Sequence, residues 1–174
     1  AHAVPHVLRA LGYGEAAAEA GARLRETVDA FYRGEVAREA AQALIARYVA
    51  EPWFEHVYIG ERLPETVAQT GWANETRFDP RPVFSRITAP ILLLYGETDP
   101  WIPVEESMAI WREALAGAGN EDAALHRVPR AGHLMLIDEP AYVDEGELRA
   151  EAFSPVYTQL IQDFVRRVAR GINQ

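Results

Sequence analysis

The stretch from Ile87 to Pro103, Ile-Thr-Ala-Pro-Ile-Leu-Leu-Leu-Tyr-Gly-Glu-Thr-Asp-Pro-Trp-Ile-Pro, restricts the fold more than any other part of the chain. Five apolar residues in a row, Ile91 to Tyr95, follow a proline and stop at a glycine. So short an unbroken run is the pattern of a parallel strand buried on both faces, since a helix would need more length. Gly96 permits a sharp turn, and Asp99 then falls just past the carboxyl end of the strand, where open α/β sheets carry ligands and catalytic side chains. A second strand-like run, Ala124 to Val128, leads into Val128-Pro-Arg-Ala-Gly-His-Leu and so to His133. Asp99 and His133 are therefore the candidate site residues.

The remainder of the second half supports an alternation of strand and helix. Val104, Met108, Trp111 and Leu115 step at helical spacing, and Glu105 and Glu106 occupy the first turn, where the helix dipole favours negative charge. The mixed run Ala124-Leu-His-Arg-Val suits a sheet-edge strand, which places His126 in solvent. Ile137 to Glu151 is acidic and reads as a long loop. Its residues Asp138, Glu139, Asp144, Glu145 and Glu147 could supply oxygen ligands to a hard cation, but such a charge run is ordinarily a solvated face, and no metal or cofactor is expected. Ser154-Pro155 reads as an N-cap and first-turn proline, followed by the apolar stripe Val156, Leu160, Ile161, Phe164, Val165 and Val168.

The first half reads helical. Val4 to Leu11, Glu15 to Tyr32 and Glu35 to Val49 form three segments punctuated by Gly12, Gly14 and Gly34. Pro52 ends this pattern, and Trp53, Phe54, Tyr58, Leu63 and Trp72 make an aromatic, irregular stretch. These rings read as the core of a small helical subdomain and, for Trp53, Phe54 and His56, also as the lining of an apolar substrate entrance, two roles that are compatible.

With 174 residues and 49% hydrophobic content, the chain can bury a sizeable core. A net charge of -9 opposes binding to nucleic acid or to an anionic membrane, and no apolar run is long enough to span a bilayer. Cysteine is absent, which removes disulfides, thiolate nucleophiles and cysteine metal sites. With no signal peptide in view, the default location is cytoplasmic, and secretion stays open. The chain begins at Ala1 without an initiator methionine, so processing or an upstream segment is expected.

Taken in order, the buried strand, Tyr95-Gly-Glu-Thr-Asp99-Pro, a helix, an edge strand, Arg130-Ala-Gly-His133 and a closing amphipathic helix resemble the C-terminal half of the α/β-hydrolase family. Phe78-Asp-Pro-Arg-Pro-Val-Phe-Ser-Arg-Ile also resembles the passage from cap to penultimate strand in esterase- and peptidase-like members. The resemblance, which covers about Asp79 to Val168, implies an α/β fold built on part of a doubly wound sheet. Residues 1–78 would be a helical cap and residues 79–174 the C-terminal part of the core. It further implies Asp99 as the triad acid and His133 as the general base, acting on a small-molecule ester, thioester or amide. An imidazole of ordinary pKa, about 6.5, can take and return a hydroxyl proton near neutrality when a carboxylate fixes its tautomer.

The nucleophile is missing. Ser85, Ser107 and Ser154 are the serines of this chain, and none stands in a Gly-x-Ser-x-Gly elbow. The first strands and the oxyanion-hole segment are missing as well. A strand as apolar as Ile91 to Tyr95 needs more neighbours than one short strand provides. The expected partner is therefore the N-terminal part of a hydrolase core, in the same or a separate chain. Two alternatives stand: dehalogenase- or epoxide-hydrolase-like chemistry with a carboxylate nucleophile, and a non-catalytic binding or dimerisation module.

Overall fold

The computed structural model describes residues 3–67, 71–138 and 152–172. The chain divides into two compact units, Ala1–Asp79 and Pro80–Gln174.

In the first unit, helices α1 (Ala3–Ala10), α2 (Glu15–Arg33) and α3 (Arg38–Tyr48) are followed by a 3-10 turn, Phe54–Val57, and a short helix α4, Trp72–Glu75. Apolar residues recur along one stripe of each long helix, and these stripes close on one another. Leu8, Ala18, Leu24, Val28, Ala41, Ile45 and Val57 are almost wholly buried in a single cluster that also takes in Trp53, Phe54 and Leu63. The rings of Trp53 and Phe54 are thus core, whereas Tyr58 is exposed. α1 lies close against α2 because position 21 is glycine: a Cβ there would stand 2.6 Å from Leu8 Cδ1. Arg25, paired with the buried Asp29, donates from Nη1 to the Val57 carbonyl and so ties α2 to the 3-10 turn.

The second unit begins with the short helix α5 (Arg81–Phe84), followed by strand β1 (Ile91–Gly96), helix α6 (Val104–Gly117), strand β2 (Ala123–Val128) and helix α7, Pro155–Ile172. β1 and β2 pair in parallel, Ile91 opposite Ala123 through Gly96 opposite Val128, with α6 as the crossover that parallel pairing requires. Asn120 sets the start of this register. Its amide donates to the carbonyls of Ile87 and Ala89 and its oxygen accepts from Asp122 N, whose own carbonyl accepts from Ile91 N. Val104, Met108, Ala114 and Leu115 are the buried face of α6, and Phe84 stacks on Trp111 at 3.8 Å. The Ser154 hydroxyl accepts from Tyr157 N at the start of α7, as its cap pattern predicts.

The fold is thus of the α/β class with a small parallel sheet. Two expectations are altered. Ile91 to Tyr95 are half-buried, not buried on both faces, because β1 has a strand partner on one edge alone among the described residues. Ile137, expected in a long loop, pairs with Ala131 in an antiparallel bridge. The acidic residues from Glu139 to Glu151 lie outside the described residues, and with them all but Asp138 of the cation-ligand candidates. No described helix is long and apolar enough to cross a membrane.

Candidate active site

The end of β1 places Asp99. Past Gly96 the ladder continues for one more bond, Glu97 N to the Val128 carbonyl at 3.0 Å, and the chain then turns. The Asp99 carboxylate faces inward, its side chain only 4% exposed. Its Oδ1 accepts from the backbone N–H groups of Trp101 (2.8 Å) and Ile102 (3.0 Å), a local turn that an aspartate followed by proline favours. This leaves Oδ2, which lies 2.9 Å from His133 Nδ1. The two residues singled out in the sequence, 34 positions apart, are brought into direct contact.

His133 is presented by a tight hairpin after β2. Ala131 and Ile137 form its bridge, Gly132 N bonds the Leu136 carbonyl at 3.1 Å, and Asp138 N bonds the Arg130 carbonyl at 2.9 Å. This hairpin is pinned to the end of β1. Thr98 donates from both its backbone N and its hydroxyl to the Ala131 carbonyl, and Glu97 Oε2 accepts from Arg130 N at 3.0 Å. Gly96 makes the approach possible: a Cβ on it would lie 2.1 Å from the Gly132 carbonyl oxygen and 2.5 Å from that of Ala131. No side chain of any size fits there.

Arg130, Met135 and Asp138 all have positive φ, between 53° and 62°. Non-glycine residues pay for that conformation, and such strain concentrates where backbone must hold a functional group. The Arg130 guanidinium pairs with the Asp138 carboxylate across the hairpin, which raises the arginine and holds the Asp138 carboxyl below the usual carboxylate range. Asp138 is therefore a structural partner within the hairpin and not merely part of a solvated acidic run. Glu97, Thr98 and Arg130 were not singled out in the sequence. The only signal for them is their position inside Gly-Glu-Thr-Asp and Arg-Ala-Gly-His, next to the candidate pair.

The geometry fixes the chemistry available. An ionised carboxylate only accepts, so a neutral imidazole bonded to it through Nδ1 would carry its proton there and keep its lone pair on Nε2. The His133 side chain is 44% exposed, while its carboxylate partner is enclosed. A half-open imidazole bonded to an enclosed carboxylate is an arrangement that can move a proton at Nε2. The chain's serines do not complete it. Ser154 caps α7, Ser85 bonds the Pro82 carbonyl, Ser107 is on α6, and no serine hydroxyl bonds His133 among the described residues. Nor do those residues contain a cluster of three or more carboxylates and imidazoles able to hold a metal ion.

A family model described as the alpha/beta hydrolase family matches residues 2–145 and so includes both Asp99 and His133. Neither the curated proteins nor the solved structures contain a match to this chain. The order of elements, the contact between the acid and the histidine, and a family match over most of the length agree: this chain belongs to the α/β-hydrolase family.

Proposed function

We propose that this chain is the C-terminal portion of a serine hydrolase that cleaves a carboxylic ester, thioester or amide through an acyl-enzyme. Asp99 orients His133 and stabilises the imidazolium, and His133 takes the proton of a serine that lies outside this chain and returns it to the leaving group. The observation that carries the reading is the His133 Nδ1 to Asp99 Oδ2 contact at 2.9 Å, with the other carboxylate oxygen held by two backbone donors. In this reading residues 1–78 are the helical cap region. β1 and β2 are the last strands of a doubly wound sheet, whose earlier strands would line the open edge of β1.

The test is the hydrolysis of an activated ester and a thioester by the protein together with its upstream segment. Asp99→Asn is expected to lower kcat by about 10⁴-fold, the scale on which a triad loses activity when its acid becomes an amide, and His133→Ala by at least as much. Full activity in both variants would refute the assignment.

A further inference from the structure

One non-glycine residue of positive φ in the described chain lies far in sequence from the histidine hairpin. Tyr58, φ 56°, is also 57% exposed. A cavity of about 120 Å³ in the first unit is lined by Tyr58, Tyr32 and Trp72, with Val28, Leu63 and the Ile59-Gly60 turn completing the wall.

One ion pair stands beside this cavity. The Arg25 guanidinium lies 4.8 Å from the centre of the Trp72 ring, and its Nη1 donates to the carbonyl of Val57, the residue before Tyr58. Asp29 neutralises it through Nε at 3.0 and 3.1 Å. The Trp72 ring is thus held against a fixed cation before any ligand arrives, which lowers the ordering cost of binding.

We propose that this cavity binds a neutral ligand consisting of one aromatic ring with an oxygen substituent. At about 120 Å³ the cavity is somewhat smaller than the roughly 150 Å³ one that admits benzene in another protein, which limits a ligand to one ring with a small substituent. Among the described residues the lining carries no charged side chain, so a charged ligand would be desolvated without compensation. Three aromatic rings around one space favour a ring over an aliphatic group of equal bulk, through offset and edge-to-face contacts. Burial pushes the Tyr32 phenol above its ordinary value, so its hydroxyl keeps its proton and can donate to a ligand oxygen. The pocket shares no residue with the Asp99–His133 pair and needs no catalysis.

Titration of the full chain with phenol and, separately, with cyclohexanol, followed by calorimetry, tests the proposal. Saturable one-to-one binding of phenol, stronger than that of cyclohexanol, is expected. Tyr58→Gly and Tyr58→Asn remove the ring but suit the left-handed backbone. Both should weaken phenol binding about tenfold, the loss of one good ring contact, while the thermal midpoint holds or rises. A ring kept for packing would instead lower the midpoint. No saturable phenol binding, equal binding of the two alcohols, or unchanged affinity in both Tyr58 variants would overturn the proposal.

Discussion

At the scale of single residues, the site depends on one hydrogen atom at position 96. Because the atoms opposing a Cβ there are backbone oxygens of Ala131 and Gly132, they cannot swing aside as a side chain would. Gly96→Ala should therefore push the hairpin off the end of β1, lower stability by roughly 1–3 kcal/mol as overpacking does, and break the bond between His133 and Asp99. Denaturant unfolding measures the first effect and the imidazole ¹⁵N shifts, which report the tautomer, measure the second. A variant with unchanged stability and an unchanged Nδ1–H signal would contradict this. Asp99 and His133 were legible in the sequence because each follows a strand-like run, and the order of those runs constrains where their carboxyl ends meet. Glu97 and Asp138 were not. Their partners are a backbone N–H and a guanidinium brought near by a hairpin whose left-handed residues no local pattern announces.

At the scale of elements, the hairpin that presents His133 is held by polar contacts more than by burial, and these can be removed singly. Glu97→Leu deletes the acceptor for Arg130 N, whereas Glu97→Gln keeps an oxygen there. The leucine variant should speed amide exchange at Arg130 by about tenfold, near 1 kcal/mol for an exposed hydrogen bond, and the glutamine variant should not. The Arg130–Asp138 pair adds a pH dependence. The folded carboxyl has the lower pKa, so the pair supports the hairpin above the ordinary carboxylate range and its support is lost as pH falls through the lowered value. Thermal midpoints of the protein and of Asp138→Asn should differ near neutrality and converge on acidification; a gap that widens in acid would contradict the assignment. The strand Ile91 to Tyr95 was legible from its flanking proline and glycine, but its burial was overestimated. Composition tells what a strand can bury, and only its neighbours decide what it does bury.

At the scale of the whole molecule, the two units are unequally built. The large buried cluster lies within residues 4–63, while the second unit rests on a pair of parallel strands that is marginal alone. Native-state hydrogen exchange of the chain should therefore show the slowest amides in α2 and α3 and much faster ones in β1, with β1 gaining protection once the proposed N-terminal part of the core is supplied as an upstream segment. Slow exchange throughout β1 without that segment would mean that the strand has no need of another partner. The helical half was legible as amphipathic helices, yet the cavity beside Tyr58 was not, because it arises from residues of α2, the stretch from Tyr58 to Leu63 and α4 that only packing brings together. The central claim, a proton relay serving a serine beyond this chain, is tested most directly by fluorophosphonate labelling of the protein with its upstream segment, followed by mass-spectrometric mapping of the modified residue. The expected result is a single labelled serine outside residues 1–174, with labelling lost in His133→Ala. Absence of label, or labelling that is indifferent to His133, would contradict it.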